Sequence, residues 1–340
     1  MYTVWQGGKK METEIGRPFT GYRLTELKRF LRRMDLDYDD GVEYTVTLTE
    51  GDEIAAAGSL DGNVLKCIAV DPRWQGEGLT ATVVSELRRE AFRRGREHLF
   101  LFTKPKNRRM LEGLSFFPIA ETGDMLLLES VRNGIRDFVS SLKKAPVSGR
   151  IGCVVMNCNP FTLGHRYLVE TAAGRCDWLH VFVLSAERSL FSAETRRLLA
   201  ERGTADLPNV TVHPTGDYLI SAATFPDYFL NDKTRADEIR CQLDLEIFCR
   251  YFVPALGITC RFVGTEPLSP VTAAYNEAMK AYLPPRGVEV TELTRKEIGG
   301  EPVSASRVRA LLAAGDLAPL EKLVPKTTLD YLKEHPNEGG

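Results

Sequence analysis

The second half of the chain alternates regularly between short apolar strands and helical segments, and this alternation is what most limits the possible folds. The predicted strands are Ile151–Met156, Trp178–Ser185, Val210–His213, Ile258–Gly264 and Val288–Leu293. Alternation of this kind is typical of an α/β domain in which helices cover a doubly wound parallel sheet. Such sheets bind ligands at the carboxyl ends of their strands, so we expect a functional site there.

The first of these strands runs directly into Asn157–His165, which is followed by an apolar-periodic helix over Arg166–Ala173. The amino end of a helix offers unpaired N–H groups and a partial positive charge of about +0.5, which favour a phosphate. Gly164 lets the backbone approach a ligand closely, and Thr162 and His165 place a hydroxyl and an imidazole beside it. The pattern predicts that both side chains point at an α-phosphate. A capped helix with one structural histidine is the alternative.

A second motif lies near the end of the chain, in Glu301–Arg309. Ser304 is a small hydroxyl residue at a predicted N-cap, and Arg309 lies in the helix predicted over Val308–Ala314. Because helical side chains lean toward the amino end, Arg309 can reach back by about one turn, roughly 5.4 Å. We expect Ser304 and Arg309 to cradle the β- and γ-phosphates of the same nucleotide.

The T-x-G-H element at 162–165 and the V-S-A-S-x-V-R element at 303–309 resemble the paired motifs of the HxGH nucleotidylyltransferase superfamily. The resemblance implies that ATP binds with Mg²⁺ and that a nucleophile attacks its α-phosphate in line, expelling pyrophosphate. Catalysis would then consist of positioning and charge stabilisation. The catalytic residues implied are Thr162, His165, Ser304 and Arg309. The ATP-binding residues implied are Asn157, Asn159, Pro160, Phe161, Gly164, Gly264, Glu266 and Ser306.

Further segments of the second half resemble the [citrate (pro-3S)-lyase] ligase family, and with the first half the resemblance covers nearly the whole chain. These segments are Met156–His165, Ser221–Phe229 and Phe262–Pro267. The resemblance implies that ATP activates acetate as acetyl-AMP. The acetyl group would then pass to the thiol of a phosphoribosyl dephospho-CoA arm on the acyl carrier subunit of citrate lyase. The expected ligands and partner are therefore ATP, Mg²⁺, acetate and that carrier subunit.

Several residues in these segments also have simpler interpretations. Thr224–Pro226 fits a turn that enters a helix as well as it fits a substrate-lining segment. Glu266 either orders Mg²⁺ or the ribose, or is a solvated loop carboxylate. Arg196, together with Phe191 and Ser192, resembles a phosphate-contacting stretch of the family, whereas the start of a surface helix is the simpler interpretation.

The first half of the chain has a mixed α+β pattern. The predicted helices and strands are Tyr22–Met34, Glu43–Thr49, Glu53–Gly58, Val64–Val70, Leu79–Arg94, His98–Thr103, Asn107–Leu111 and Met125–Glu129. This order, with the loop Arg73–Gly78 between a strand and a helix, resembles the GNAT-type acyltransferase fold. The linker-like stretch Lys143–Gly149 then separates a GNAT-like domain over residues 1–145 from a Rossmann-like nucleotidylyltransferase domain over residues 146–340.

The glycine-containing loop is the functional signal of the first half. Its backbone amides are expected to bind the pyrophosphate of a CoA-like arm. The arm-binding residues implied are Arg73, Gln75, Gly76 and Gly78. No tyrosine lies between Asn107 and Phe117, where many GNAT enzymes carry an acid. We therefore expect this domain to dock the arm, and a structural domain without a binding role is the alternative.

Composition excludes several classes of protein. Hydrophobic residues make up 43% of the 340 residues, yet no apolar run approaches the roughly 20 residues that span a bilayer. The formal net charge of -2 gives no broad basic field for nucleic acid. Without a visible secretory signal, the sequence predicts a cytoplasmic protein that binds neither nucleic acid nor membrane. The seven cysteines form no C-x-x-C pair and are interpreted as buried free thiols.

Two other functions remain open at this point. The same phosphate site suits an adenylyltransferase that leaves the adenylyl group on a cofactor precursor. A nucleotide-binding regulator with a CoA-sensing domain is the non-enzymatic alternative. The motifs alone leave open the choice of acyl chain, the domain that catalyses thiol acetylation, and the oligomeric state.

Overall fold

The computed structural model describes residues 2–6, 9–186, 189–220, 241–266, 269–335 and 338. These residues form two compact units, the first made mainly of the residues up to Gly134 and the second beginning at Ile135. The domain boundary after residue 145 lies beyond the helix Gly134–Ser141 and stays a prediction.

The first unit is built on one eight-stranded sheet. Its strands are β1 Tyr2–Gln6, β2 Lys9–Gly16, β3 Tyr44–Glu50, β4 Glu53–Asp61, β5 Val64–Val70, β6 Phe100–Thr103, β7 Phe117–Glu121 and β8 Leu126–Glu129. Its helices are α1 Gly21–Arg33, α2 Leu79–Arg93 and α3 Arg108–Glu112. The strand order is β1-β2-β3-β4-β5-β6-β8-β7. Helix α2 packs Val83 and Leu87 against this sheet, where both side chains are fully buried.

Strands β5 and β6 are the parallel neighbours in this sheet, and they separate soon after they meet. Their register joins Val64 to Phe100 and Leu65 to Leu101. Beyond Leu65, β5 continues to pair with β4 on its other side as far as Val70. The sheet therefore opens between β5 and β6 toward the end of β5 that leads into the loop before α2.

The second unit contains a five-stranded sheet in which every neighbouring pair is parallel. Its strands are β9 Ile151–Met156, β10 Trp178–Val183, β11 Val210–Pro214, β12 Cys260–Gly264 and β13 Glu289–Leu293. A short hairpin follows, formed by β14 Glu297–Ile298 and β15 Glu301–Pro302. The helices are α4 Gly134–Ser141, α5 Leu163–Ala173, α6 Ala193–Thr204, α7 Val253–Leu256, α8 Pro270–Tyr282, α9 Ala305–Ala313 and α10 Lys326–Glu334.

The strand order β11-β10-β9-β12-β13 confirms the predicted doubly wound topology. The chain runs outward from β9 to β11 and then returns to place β12 on the other side of β9. The order therefore reverses between β9 and β12, which is where such sheets bind their ligands. Val154 of β9 and Phe262 of β12 belong to the buried core beneath this edge, together with Val169 and Ala172 of α5.

Two further expectations concern the whole chain. All seven cysteines are free, and five of them are buried, as the sequence predicted. Among the described residues, no helix combines the length and the apolar character needed to cross a bilayer.

Candidate active site

Thr162 joins strand β9 to helix α5 and fixes the first turn of that helix. Strand β9 ends at Met156, and the loop that follows contains the cis peptide Asn159–Pro160. The Thr162 hydroxyl accepts a hydrogen bond from the His165 N–H at 3.3 Å. The side chain of Thr162 is only 1% exposed. Thr162 is therefore the N-cap of α5, and its hydroxyl is committed to the helix end.

The imidazole of His165 is oriented by the same turn. The Thr162 N–H donates to Nδ1 of His165 at 3.0 Å, and the Thr162 hydroxyl lies 3.0 Å from the same atom. Burial, with a smaller contribution from the positive charge of Arg295, lowers the pKa of His165 to about 4. The ring is therefore neutral near pH 7. Because Nδ1 accepts the backbone hydrogen bond, the ring proton resides on Nε2, which can donate to an anion.

The two sequence motifs meet at Gly164 and Arg309. A Cβ atom at position 164 would lie 2.9 Å from the carbonyl oxygen of Val303, a distance that real Cβ atoms essentially never show. On the other side of the loop, Nη1 of Arg309 donates to the carbonyl oxygen of Asn159 at 2.6 Å. The loop before α5 and the start of α9 are therefore in contact, although the two motifs lie far apart in the sequence.

The amino end of α9 gathers the remaining residues of the second motif. Ser304 is the N-cap, and its hydroxyl accepts from the Arg307 N–H at 3.2 Å. Nη2 of Arg309 donates to the Ser306 hydroxyl at 3.0 Å, so the arginine side chain leans back toward this end of the helix. Two hydroxyls and a guanidinium thus lie at the amino end of α9, beside Asn159.

The interior of the loop is packed against the core. Asn159 is 6% exposed, and its side-chain oxygen accepts from the Phe191 N–H at 3.1 Å. Pro160 and Phe161 are buried, and the Phe161 ring stacks on His165 with their centroids 5.7 Å apart. These contacts hold the loop backbone and the imidazole in one arrangement.

Arg196, in the first turn of α6, organises the loops that follow β9 and β10. Its side chain is fully buried. The guanidinium donates to the carbonyl oxygens of Leu184 at 2.7 Å and Ala186 at 2.5 Å, and to the side-chain oxygen of Asn157 at 2.6 Å. A helix does begin here, at Ala193 with Ser192 as its N-cap, but Arg196 is buried and does not lie on the surface of that helix. Arg196 therefore fixes these two loops through hydrogen bonds to oxygen atoms of the protein.

Glu266 follows β12 at the same edge of the sheet. Its side chain is 7% exposed and pairs with Arg295, so a solvated loop carboxylate is wrong. One carboxylate oxygen also accepts from the Ser269 N–H at 3.1 Å. Gly264 ends β12, and its carbonyl oxygen accepts from the side-chain amide of Asn276 at 3.0 Å. The sequence analysis missed Arg295, because no motif marks it and its partners come from the end of another strand.

The glycine loop of the first unit has the backbone form of an anion site. Gly76 and Gly78 have φ values of 89° and 75°, and Gly78 is the N-cap of α2. Positive φ at both positions is adopted readily by glycine and rarely by other residues. Gln75 lies exposed in the same turn. The loop therefore presents the amino end of the 15-residue helix α2 to solvent.

Arg73, at the start of this loop, is held by acidic neighbours. Its guanidinium pairs with Asp71 at 3.0 Å and with Glu53 at 2.8 Å, and it lies 4.4 Å from the centre of the Trp74 ring. These contacts tie the loop to the end of β5 and the start of β4.

Ser221–Phe229 and Pro267 lie outside the described residues. The predicted part of Thr224–Pro226 and of Tyr228 and Phe229 in lining the substrate site stays a prediction. The roles of the individual residues placed above also stay predictions, although the structure brings the two motifs together.

Comparison with known proteins assigns a family to each part of the chain. Residues 151–332 match the family model described as the citrate lyase ligase C-terminal domain. Residues 10–112 match the acetyltransferase (GNAT) family. These matches confirm the predicted fold class, a GNAT domain followed by a nucleotidylyltransferase-like α/β domain.

Curated relatives match over most of their length. The [citrate [pro-3S]-lyase] ligase of Klebsiella pneumoniae is 45% identical over 318 residues, which cover 92% of this chain and 93% of that protein. The protein of the same name from Escherichia coli K12 is 42% identical and covers 92% and 90%. That from Haemophilus influenzae is 40% identical and covers 92% and 96%. Since identity at this level extends through both units, the chain belongs to the citrate lyase ligase family.

Proposed function

We propose that this enzyme activates acetate with ATP and transfers the acetyl group to the thiol of a prosthetic arm on the acyl carrier subunit of citrate lyase. The observation that carries the proposal is the contact between the two motifs at one edge of the parallel sheet. It joins the Arg309 guanidinium to the Asn159 carbonyl at 2.6 Å. A helix amino end, a neutral imidazole and this guanidinium lie at neighbouring positions of this edge, and together they suit a polyphosphate.

In the first step, an acetate oxygen forms a bond to the α-phosphorus of ATP. The bond between that phosphorus and the bridging oxygen breaks, and pyrophosphate leaves with the electron pair. His165 donates from Nε2 to a non-bridging oxygen of the α-phosphate, where negative charge develops. Thr162 acts as a positioning residue, because its hydroxyl and N–H hold the imidazole in the donating tautomer.

The amino end of α9 is assigned to the leaving group. Arg309, with the Ser304 and Ser306 hydroxyls beside it, binds the β- and γ-phosphates. A hydrogen bond from a charged donor is about twice as strong as one from a neutral donor. Asn157, Asn159, Pro160 and Phe161 keep the loop backbone in place, and Gly164 and Gly264 leave space for the nucleotide. Mg²⁺ would bind through the phosphate oxygens of ATP, where it neutralises part of their charge.

In the second step, the arm thiol bonds to the acyl carbon and AMP leaves with the former acetate oxygen. We assign the first unit to docking the arm, with its pyrophosphate at Gly76 and Gly78 and the exposed Gln75 beside it. The separation of β5 from β6 supports this role, because the two strands stop pairing after Leu65, on the side toward the glycine loop. Arg73 acts indirectly, since its contacts with Asp71 and Glu53 fix the start of the loop.

Acetate-dependent exchange of labelled pyrophosphate into ATP tests the first step without the carrier. The unaltered enzyme should exchange label only when acetate is present. His165→Ala should lower the exchange rate by about 10²–10³-fold, the usual cost of one lost transition-state donor. His335→Ala is the matched control, because His335 stacks on Tyr331 at the end of α10, and it should exchange normally. Exchange that needs no acetate, or that survives in His165→Ala, would refute the proposal.

A further inference from the structure

Arg295 is a cation at the carboxyl edge of the parallel sheet that the two sequence motifs do not include. We propose that Arg295 is a catalytic residue that contacts the phosphates of ATP beside His165, and that Glu266 is a positioning residue which acts through it. This inference rests on the proposed function. It adds a second phosphate-binding guanidinium to that of Arg309 and changes the role of Glu266 from a direct ligand to a support.

The position of Arg295 is set by contacts to the end of the neighbouring strand. Arg295 follows β13, and its Nε donates to the carbonyl oxygen of Thr265 at 2.6 Å. Its backbone N–H donates to the Thr265 hydroxyl at 3.3 Å, and Nη2 pairs with a carboxylate oxygen of Glu266. Thr265 and Glu266 follow β12, the strand beside β9. These bonds hold the guanidinium at the carboxyl edge from which the loop before α5 also emerges.

The Glu266 carboxylate is well placed to hold Arg295 and poorly placed to bind Mg²⁺ or the nucleotide directly. Glu266 is 7% exposed, whereas the Arg295 side chain is 29% exposed. The arginine is therefore the more accessible member of the pair. In the part of the chain that the structure describes, Nη1 of Arg295 has no hydrogen-bond partner, and this N–H group is left to bind a ligand. Replacement of Arg295 would remove both the charge and this donor.

Arg295 and His165 also act on each other electrostatically. After burial, the positive charge of Arg295 is the second and smaller cause of the low pKa of His165. Arg295, bound to the residues after β12, and Arg309, bound to the loop after β9, place two guanidiniums at the carboxyl edge of the same sheet, which favours a ligand with several negative charges.

Arg307 provides a matched control. It lies on α9 between the two residues of the second motif, its side chain is 43% exposed, and it pairs with Glu301 at 2.6 Å. It is the same residue type in the same part of the unit, but its charge faces a surface carboxylate. Arg307→Ala should keep the exchange activity within about twofold of the unaltered enzyme.

The kinetic test compares Arg295→Ala, Arg295→Lys and Glu266→Gln in acetate-dependent pyrophosphate exchange. Arg295→Ala should lower kcat/KM for ATP by about 10²-fold. Arg295→Lys should recover only part of this loss, because lysine keeps the positive charge but lacks the planar, two-pronged donor group of arginine. Glu266→Gln should cause a smaller loss. In combination with Arg295→Ala it should add almost nothing, because both changes remove the same interaction.

A second measurement distinguishes contact from structural support. The pKa of His165, followed by NMR of its ring protons, should rise in Arg295→Ala and stay unchanged in Arg307→Ala. If Arg295→Ala retains kcat/KM for ATP within twofold of Arg307→Ala, the inference is wrong, whether or not the pKa of His165 moves. If Arg295→Ala does not fold, the same comparison is made with Arg295→Lys. Absence of exchange in the unaltered enzyme would instead refute the proposed function itself.

Discussion

At Gly164 the absence of a Cβ atom allows the two motifs to come into contact. The carbonyl oxygen of Val303 approaches so closely that a methyl group at position 164 would lie 2.9 Å from it. That oxygen belongs to the backbone at the start of α9, and backbone cannot move aside as a flexible side chain can. The residue therefore serves the approach of two chain segments as well as the ligand that the sequence analysis assigned to it.

Gly164→Ala should push α9 away from the loop before α5. We expect the free energy of unfolding to fall by about 1–3 kcal/mol, as for other overpacked sites, and exchange activity to fall with it. Urea denaturation and the exchange assay measure the two effects. Gly123→Ala is the control, because a Cβ there meets nothing within 4 Å. Equal stability of the two variants would show that Val303 and Gly164 are not in contact.

Arg196 is a residue whose role the sequence did not reveal. Its bonds go to the loops after β9 and β10, including the carbonyl oxygens of Leu184 and Ala186. A motif near the start of a predicted helix indicates neither burial nor partners of this kind, because the partners are defined only once the strands are adjacent. The same reason explains why Arg295 was missed, since its partner Glu266 follows a different strand.

Arg196→Met keeps the volume of the side chain but leaves several buried oxygens without a donor. The free energy of unfolding should fall by about 3 kcal/mol or more. Arg197→Met tests the specificity, because Arg197 is 39% exposed and pairs with Glu201 on the same helix. That control should change stability by about 0.5 kcal/mol or less. Similar losses in both variants would contradict the structural role given to Arg196.

At the scale of secondary-structure elements, the parallel sheet was predictable because each strand is a continuous apolar run. Val154 and Val181, for example, are fully buried on neighbouring strands, as is expected when helices cover both faces. Strand β2 was missed even though Met11, Thr13 and Ile15 alternate with charged residues. The hairpin of β14 and β15 was missed because its strands are two residues long. Elements that short carry no periodic signal.

Two adjacent strands of this sheet carry a buried pair of histidines that makes stability depend on pH. Nδ1 of His180 on β10 lies 2.9 Å from Nε2 of His213 on β11, and both side chains are buried. Desolvation by burial lowers the pKa of each ring, and for His213 the neighbouring His180 adds to the effect. The folded state therefore binds fewer protons than the unfolded chain below about pH 6.5.

The free energy of unfolding should accordingly be highest above pH 6.5 and fall as the pH is lowered, by about 1.4 kcal/mol per pH unit for each histidine that stays neutral in the folded state. His213→Gln should reduce this slope between pH 6.5 and 5 relative to the unaltered chain. Urea titrations at half-unit intervals of pH would measure it. An identical slope in the variant would mean that the pair is not the source of the pH dependence.

At the scale of the whole molecule, the sequence identified both domain types, because each carries a loop between a strand and a helix that the fold needs in that position. The loop Arg73–Gly78 of the first unit was predicted with its glycines, and both have positive φ. The arm-binding role of its arginine, Arg73, stays a prediction, and its contacts could not be read from the motif alone. The contacts of Arg73 with Asp71 and Glu53 depend on the pairing of β4 with β5.

Gly76→Asp tests the binding role of the first unit. Aspartate would be strained at φ 89° and would add a negative charge where the arm pyrophosphate is expected. The Kd for dephospho-CoA, measured by titration calorimetry, should rise by about tenfold or more, which is 1.4 kcal/mol. Gly51→Asp is the matched control, because Gly51 also has positive φ, 60°, and lies in the turn between β3 and β4. Equal affinity in the two variants would indicate a structural domain without arm binding.

The central claim is that acetate becomes bonded to the α-phosphorus before it reaches the thiol. Acetate labelled with ¹⁸O in both oxygens, supplied with ATP and the deacetylated carrier subunit, tests this directly through mass spectrometry of the AMP produced. If an acyl adenylate forms, each AMP carries one ¹⁸O atom from acetate, and the thioester retains the other. If the AMP carries no ¹⁸O while the carrier is acetylated, acetate does not attack the α-phosphorus and the account is wrong.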